Sequence, residues 1–323
     1  MRAQVLHAVG ERPRLAVDYP HPQPEADEVA VRIRAAALNH RDLYITQGLY
    51  PGVRVPVVLG SDGVGELDER RVLLQPGLAW GEREDAQAPA YHVLGMPTDG
   101  TFAEWTVVPR ANVYDCPEHL TDAEAAALPL AGLTAFRALF TRASAKTGDT
   151  VLVTGAGGGV ASFAVQFAVA AGCRVFVTSS RAENVAAAVA QGAAGGVDYT
   201  ADGWTDELRS LSGGLDVVVD GAGGEGFAQL TRLMRPGGRM AFYGGTRGKI
   251  PGLSPQLLFW RQVTIAGSTM GSPREFARML AFVAEHELRP VVDSIRPLAD
   301  LDAALDRMAA GQQRGKLVLR IAE

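Results

Sequence analysis

The sequence predicts an α/β protein in which a doubly wound parallel sheet is joined to a smaller β-rich module. Three features of its 323 residues carry that expectation. Thr150 to Thr154 is apolar and β-branched, runs into a glycine turn at Gly155 to Gly159, and continues as an apolar helix to Gly172. From about Thr121 onward, strand-like and helix-like segments alternate, the pattern of parallel strands connected by helices on both faces of a sheet. Before that point the chain reads as short strands broken by Pro and Gly.

The elements follow in order. Arg2 to His7 is strand-like and lacks the charged start and apolar core of a signal peptide. Glu28 to Arg34 alternates strictly, so one face of that strand is polar, and Gly48 to Gly52 is turn-rich. Asp122 to Leu128 reads as a helix start with Thr121 or Asp122 as its N-cap. Strands are expected near Val151, Val175, Val197, Val217, Met240 and Ile265, then helices around Glu275 to Glu287 and Asp300 to Ala310. The closing strand Lys316 to Ile321 has no helix after it and is expected to return to the first module.

Composition narrows the function classes. The length exceeds what one hydrophobic core usually serves, which makes two domains the prior. With 47% hydrophobic residues, 21% charged residues and net charge −5, the chain reads as an ordinary globular protein. It has no basic stripe for nucleic acid, and its apolar stretches are interrupted too often for a membrane span. Cys116 and Cys173 lie far apart, and neither has a partner at metal-ligand spacing. The expectation is a cytoplasmic protein without disulfides.

A buried strand, a glycine turn and a helix together hold a dinucleotide pyrophosphate. Gly155, Ala156, Gly157, Gly158, Gly159 and Val160 bring backbone N–H groups and the positive helix end to the anion. A second apolar strand from Arg174 to Thr178 completes the βαβ unit. An NAD site calls for an acid at the end of that strand, and Thr178-Ser-Ser-Arg181 has none. The hydroxyls of Ser179 and Ser180 with the Arg181 guanidinium suit a 2′-phosphate instead, which favours NADPH. The alternative is that Arg181 opens a solvated helix and Glu183 supplies the acid.

Several blocks in the same order resemble the medium-chain dehydrogenase/reductase superfamily, in its zinc-independent quinone oxidoreductase branch, with features of an alcohol dehydrogenase-like subgroup. They are Ala37-Leu-Asn-His-Arg-Asp-Leu-Tyr44, Gly48-Leu-Tyr-Pro51, Val58-Leu-Gly-Ser-Asp-Gly-Val-Gly65, Gly100-Thr-Phe-Ala-Glu104 and Ala126 to Ala135. The glycine loop, Asp216 to Asp220, Pro236-Gly-Gly-Arg239 and Gly315-Lys316 continue the match, while Trp80-Gly81 and Leu94-Gly-Met-Pro97 resemble the subgroup. The resemblance implies a GroES-like catalytic domain at 1–121 plus 263–323, its C-terminal segments shared, and a Rossmann domain at 122–262. Two departures stand out: Ala161 occupies the place of the loop's third glycine, and Gly65 to Val72 is shorter than in relatives.

The resemblance also assigns roles. Zinc-dependent members carry Cys-His-x-Asp and Gly-His-Glu sequences, and here Asn39 stands at the Cys position and Ser61 at the His position. An amide and a hydroxyl are poor zinc ligands, so no metal is expected, and His40 beside Asp62 reads as a hydrogen-bonded histidine. Asn39, Tyr44 and Tyr50 match positions facing the nicotinamide, and they offer neutral donors for an oxyanion. Thr134 resembles the threonine beside the nicotinamide ring, and Tyr199 a tyrosine flanking the 2′-phosphate. Gly221, Ala222, Phe242 and Gly244 end the fourth and fifth strands, with Ser268 and Met270 near the carboxamide; Phe242 reads equally well as core. The implied function is NADPH-dependent hydride transfer to a quinone or α,β-unsaturated carbonyl by a homodimer paired through its sixth strand. The competing readings are an alcohol dehydrogenase-like or enoyl-thioester reductase activity, and a nucleotide-binding sensor or structural protein without turnover.

Overall fold

The computed structural model describes residues 1–322. The chain divides into two compact units, one of residues 1–133 together with Gly271 onward and one of residues 134–270. The first carries β1 (Ala3–Leu6), β2 (Arg14–Ala16), β3 (Glu28–Ala37), α1 (His40–Thr46), β4 (Val57–Val58), β5 (Asp62–Leu67) and β6 (Arg70–Leu74). There follow β7 (Gly77–Leu78), β8 (His92–Val93), β9 (Trp105–Pro109), β10 (Val113–Asp115), α2 (Asp122–Ala127) and α3 (Pro129–Phe136), within which the division falls. The second unit holds β11 (Thr150–Val153), α4 (Gly159–Ala170), β12 (Arg174–Ser179), α5 (Ala182–Ala190), β13 (Gly195–Asp198) and α6 (Trp204–Ser212). It ends with β14 (Leu215–Asp220), α7 (Phe227–Leu233), β15 (Met234–Phe242), α8 (Pro255–Arg261) and β16 (Thr264–Gly267). The chain then returns to the first unit with α9 (Pro273–Glu285), β17 (Val292–Pro297), α10 (Leu301–Ala309) and β18 (Lys316–Arg320).

The alternation of β3 is what the fold uses: Val29, Val31 and Ile33 are buried while Arg32 and Arg34 face out. β3 pairs antiparallel with β5, β9 and β18, and β18 pairs parallel with β17. The closing strand therefore completes the first module's sheet, as its lack of a following helix implied. The short segment before Val72 closes as a tight hairpin, with Leu67 paired to Arg70 across Asp68 and Glu69, which have φ of 50° and 63°. In the second unit six parallel strands run in the order β13-β12-β11-β14-β15-β16. Every sequence-expected strand of this sheet is present, and the order reverses between β11 and β14, where such sheets bind ligands at their carboxyl ends.

The observed limits differ from the expected 121/122 and 262/263. Helix α2 packs on β3, β5, β17 and β18, which keeps residues 122–127 in the first unit. Strand β16 pairs with β15 from Arg239↔Thr264 to Phe242↔Gly267, which keeps 264–267 in the second. Thr121 caps α2 by accepting from the Glu124 backbone N–H while the Glu124 carboxylate accepts from the Thr121 N–H, a capping box. Among the described residues no helix is long and apolar enough to cross a membrane.

Candidate functional site

In the second unit β11 is fully buried and delivers the chain to Gly155, whose φ of +68° suits glycine. Gly155, Ala156 and Gly158 direct their N–H groups to Thr178 Oγ1, Thr178 O and Gly155 O, which shapes the turn. Helix α4 then starts at Gly159 behind Gly158, with no side-chain cap. The N–H groups of its first turn, from Gly159 and Val160 on, thus have no helical partner and suit a pyrophosphate. A Cβ on Gly157 would lie 2.5 Å from Asn184 Nδ2. Ala161 is buried within α4, a place where alanine costs nothing at the phosphate.

The 2′-phosphate segment is only partly as expected. Ser180 is exposed and Arg181 partly so, but Ser179 is buried, with its hydroxyl oxygen accepting from Arg181 N at 3.1 Å and Asn184 Nδ2 at 3.2 Å. Ser179 therefore builds the start of α5, with its hydroxyl turned to that backbone rather than out beside Ser180. Arg181 approaches Glu183 at 3.7 Å. Asp198, in register with Ser179, is an acid the sequence reading passed over; hydrogen bonds from the Thr200 hydroxyl and N–H lower its pKa. Tyr199 is half-buried beneath Arg247, whose guanidinium carbon lies 5.4 Å from the ring centroid. Arg247 was also missed, because it sits in a loop after β15, far from Tyr199 in sequence.

At the carboxyl ends of β14 and β15 the strands come close together. Gly244 has no room for a side chain: a Cβ would lie 2.5 Å from Gly221 O. Ala222 accepts from Arg247 N, and Tyr243 lies against Gly221 with its phenol pKa raised, chiefly by burial and then by Asp220. Phe242 turns its ring edge-on to buried Phe227, with centroids 5.6 Å apart, and packs on the apolar core. Its side chain is partly buried against that core, the second of the two places the sequence allowed it. Ser268 donates its backbone N–H to Phe242 O, while its buried Oγ has no partner among the described residues, the state expected of a hydroxyl that meets a ligand amide. Thr134 Oγ1 lies 3.8 Å from Met270 Sδ, so those two candidates do come together. The dinucleotide thus has a loop, a helix start and an unpartnered hydroxyl that fit it.

The first unit brings together a buried polar cluster at the start of α1. Asn39, 6% exposed, donates from Nδ2 to Asp62 Oδ2 at 2.9 Å. Lys316, the first residue of β18, donates from Nζ to Leu38 O at 2.7 Å, Asn39 Oδ1 at 2.6 Å and Asp62 Oδ2 at 2.9 Å. Asp62 Oδ1 accepts from Leu130 N at 2.8 Å. Asp42 Oδ2 accepts from Asn39 N, and burial pushes its carboxyl up to about 6, against the opposing pull of Arg41 and of that N–H. His40 keeps solvent access, yet the surrounding protein, and then the Lys316 ammonium, lower its pKa. Its ring lies 6.2 Å from that of Tyr44. Tyr50 packs on the core with the Arg41 guanidinium 5.2 Å from its ring centroid, an anchoring contact. Arg41 itself donates to Ser61 Oγ and Leu94 O, at 2.7 and 2.9 Å. Lys316 was singled out in the sequence only as part of a motif; the signal overlooked was a lysine at an inward position of an apolar strand.

Two family models match: "Alcohol dehydrogenase GroES-like domain" over residues 25–118 and "Zinc-binding dehydrogenase" over residues 159–285. A zinc-type alcohol dehydrogenase-like protein of Leptosphaeria maculans is 36% identical over 93% of this chain and 92% of its own. An acryloyl-coenzyme A reductase of Metallosphaera sedula is 29% identical over 92% of this chain and 93% of its own. Among solved structures, an NAD-dependent alcohol dehydrogenase superposes with TM-score 0.93 at 36% identity, covering all of both chains. The quinone oxidoreductase of Thermus thermophilus, solved with NADPH, gives TM-score 0.84 at 31% identity over 99% of this chain and 100% of its own.

The zinc in those descriptions finds no suitable donor set in the polar cluster. Asn39 offers an amide, Ser61 a hydroxyl engaged by Arg41 and Leu94 O, and Lys316 an ammonium that repels a cation. Among the described residues no group of three His, Cys, Asp or Glu side chains is placed to hold a metal ion.

Proposed function

The chain belongs to the medium-chain dehydrogenase/reductase superfamily, alcohol dehydrogenase-like, and from that premise we propose a zinc-independent, NADPH-dependent oxidoreductase that reduces a quinone or an α,β-unsaturated carbonyl. The observation that carries the reading is the Asn39 amide, held between Lys316 and Asp62 with one N–H of Nδ2 uncommitted. NADPH, when bound, supplies hydride. The acceptor oxygen then gains negative charge, and a neutral donor aimed at it contributes about 3–4 kcal/mol. That is enough for a conjugated acceptor, whose charge is delocalised, and little for oxidising an unactivated alcohol. Asn39 is the donor to this oxygen, the Tyr44 hydroxyl a second donor near it, and Tyr50 the anchor of the segment.

The 2′-phosphate falls to Ser180 and Arg181, with Tyr199 and Arg247 as the neighbouring pair. Ser268 takes the carboxamide. A homodimer paired through β16, the edge strand of the sheet, also covers Phe259 and Trp260 of α8, which are 66% and 83% exposed. The test is NADPH oxidation against matched panels of quinones, enones, enoyl thioesters and aldehydes, with the reverse reaction on alcohols. Turnover confined to the conjugated acceptors is expected, and turnover highest on alcohols would overturn the reading.

A further inference from the structure

We infer that Lys316 is a positioning residue that locks and polarises the Asn39 amide as the donor to the acceptor's developing oxyanion. The inference rests on the reading above and deepens it. Gly315, with φ of +84° and no room for a Cβ beside Val291 O at 2.3 Å, turns the chain sharply into β18 and sends Lys316 inward. The side chain is 3% exposed, and its three protons meet three acceptors, Leu38 O, Asn39 Oδ1 and Asp62 Oδ2. A lysine so committed holds no proton in reserve for a substrate.

What it does instead follows from donor and acceptor types. An ammonium only donates and a carboxylate only accepts. The atom of Asn39 facing Lys316 must then be Oδ1, and the atom facing Asp62 must be Nδ2. Flipping the amide would oppose donor to donor and acceptor to acceptor at once. Nδ2 is left with one N–H in a fixed direction, and the Lys316 ammonium at Oδ1 draws electron density from it, which strengthens that donor. Asp62, held also by Leu130 N, keeps the pair neutral and immobile.

The test uses two variants of the full chain. Lys316→Met removes the ammonium, and Lys316→Met with Asp62→Asn removes both charges, so that a folded protein is obtained without a stranded carboxylate. With the best acceptor of the panel, kcat is expected to fall about 100-fold in both, with KM and NADPH affinity within about threefold of wild type. Adding Asn39→Ala to the neutral pair should cost no more than threefold further, because the donor is already disordered. A neutral-pair variant that binds NADPH normally and keeps kcat within threefold overturns the inference, as does full additivity with Asn39→Ala. The side-chain amide resonances of Asn39 in ¹⁵N-asparagine-labelled protein read the lock without turnover. Two well-separated proton signals are expected in wild type and converging signals in the neutral pair. Unchanged signals overturn the lock even where wild type reduces quinones, whereas altered signals in a protein inert to every acceptor support the lock and overturn only the proposed reaction.

Discussion

Asp42 has no solvent access, and its Oδ1 finds no hydrogen-bond partner among the described residues, so the fold resists its ionisation. An acid whose folded pKa, about 6, lies above its ordinary 3.8 binds its proton more tightly when folded. Its stabilising contribution is complete below about pH 4 and is lost as pH rises through 6. Asp42→Asn keeps an acceptor for the Asn39 N–H and removes the titration. The variant should exceed wild type in unfolding free energy at pH 8 by up to about 3 kcal/mol, with the gap closing near pH 4, as urea titrations at both pH values will show. A gap independent of pH would mean that Asp42 does not titrate in this way. Asn39→Ala leaves the Lys316–Asp62 ion pair in place. Its kcat should drop about 100- to 1000-fold with NADPH affinity unchanged, measured by steady-state kinetics and fluorescence titration. Asn39 was legible in the sequence because its amide replaces a thiolate in a recognised block. Lys316 and Arg41 were not, because what gives them meaning is contact across 277 residues in one case and a backbone clamp on Leu94 in the other.

The strands and helices were the most legible level, since burial imposes its period on the residues themselves. β3 alternates because one face is core, and β11 is buried throughout because helices cover both faces of a parallel sheet. Contacts between elements were less legible. Nothing near Gly157 in sequence announces that a Cβ there would strike Asn184, which in turn holds Ser179 and the start of α5. Gly157→Ala should therefore disturb the pyrophosphate loop and the 2′-phosphate segment together. Overpacking of about 1–2 kcal/mol corresponds to roughly tenfold weaker NADPH binding, to be read by titration. An unchanged Kd would mean Asn184 moves freely. Arg181→Ala tests the segment alone: losing a charge-assisted bond of about 1.5–3 kcal/mol should cut kcat/KM for NADPH about 10- to 100-fold and leave NADH nearly unaffected. With Asp198 in register beside Ser179, an equal loss for both cofactors would shift the preference to NADH.

At the scale of the whole molecule, the two-unit organisation followed from length and the change of pattern near Thr121, but the limits did not. α2 carries a helix-start signal identical to that of a sheet-covering helix of either unit, and only its packing on β3 and β18 decides ownership. The same holds for charge. The formal count says nothing of where a positive charge is buried, yet the chain seats an ammonium between Asn39 and Asp62. A divalent cation added there would meet that ammonium at close range, with the Asp62 carboxylate already engaged by it, a poor exchange for its lost hydration. Removing metal should therefore change nothing. A site binding zinc with ligand at 100 times its Kd would add about 2.7 kcal/mol to stability, a rise of several degrees in Tm. Dialysis against a chelator is expected to leave kcat and Tm where they were, and zinc added afterwards to raise neither. Loss of turnover on dialysis with recovery on zinc addition would mean that the Lys316 cluster opens to a metal and that hydride transfer here depends on a Lewis acid.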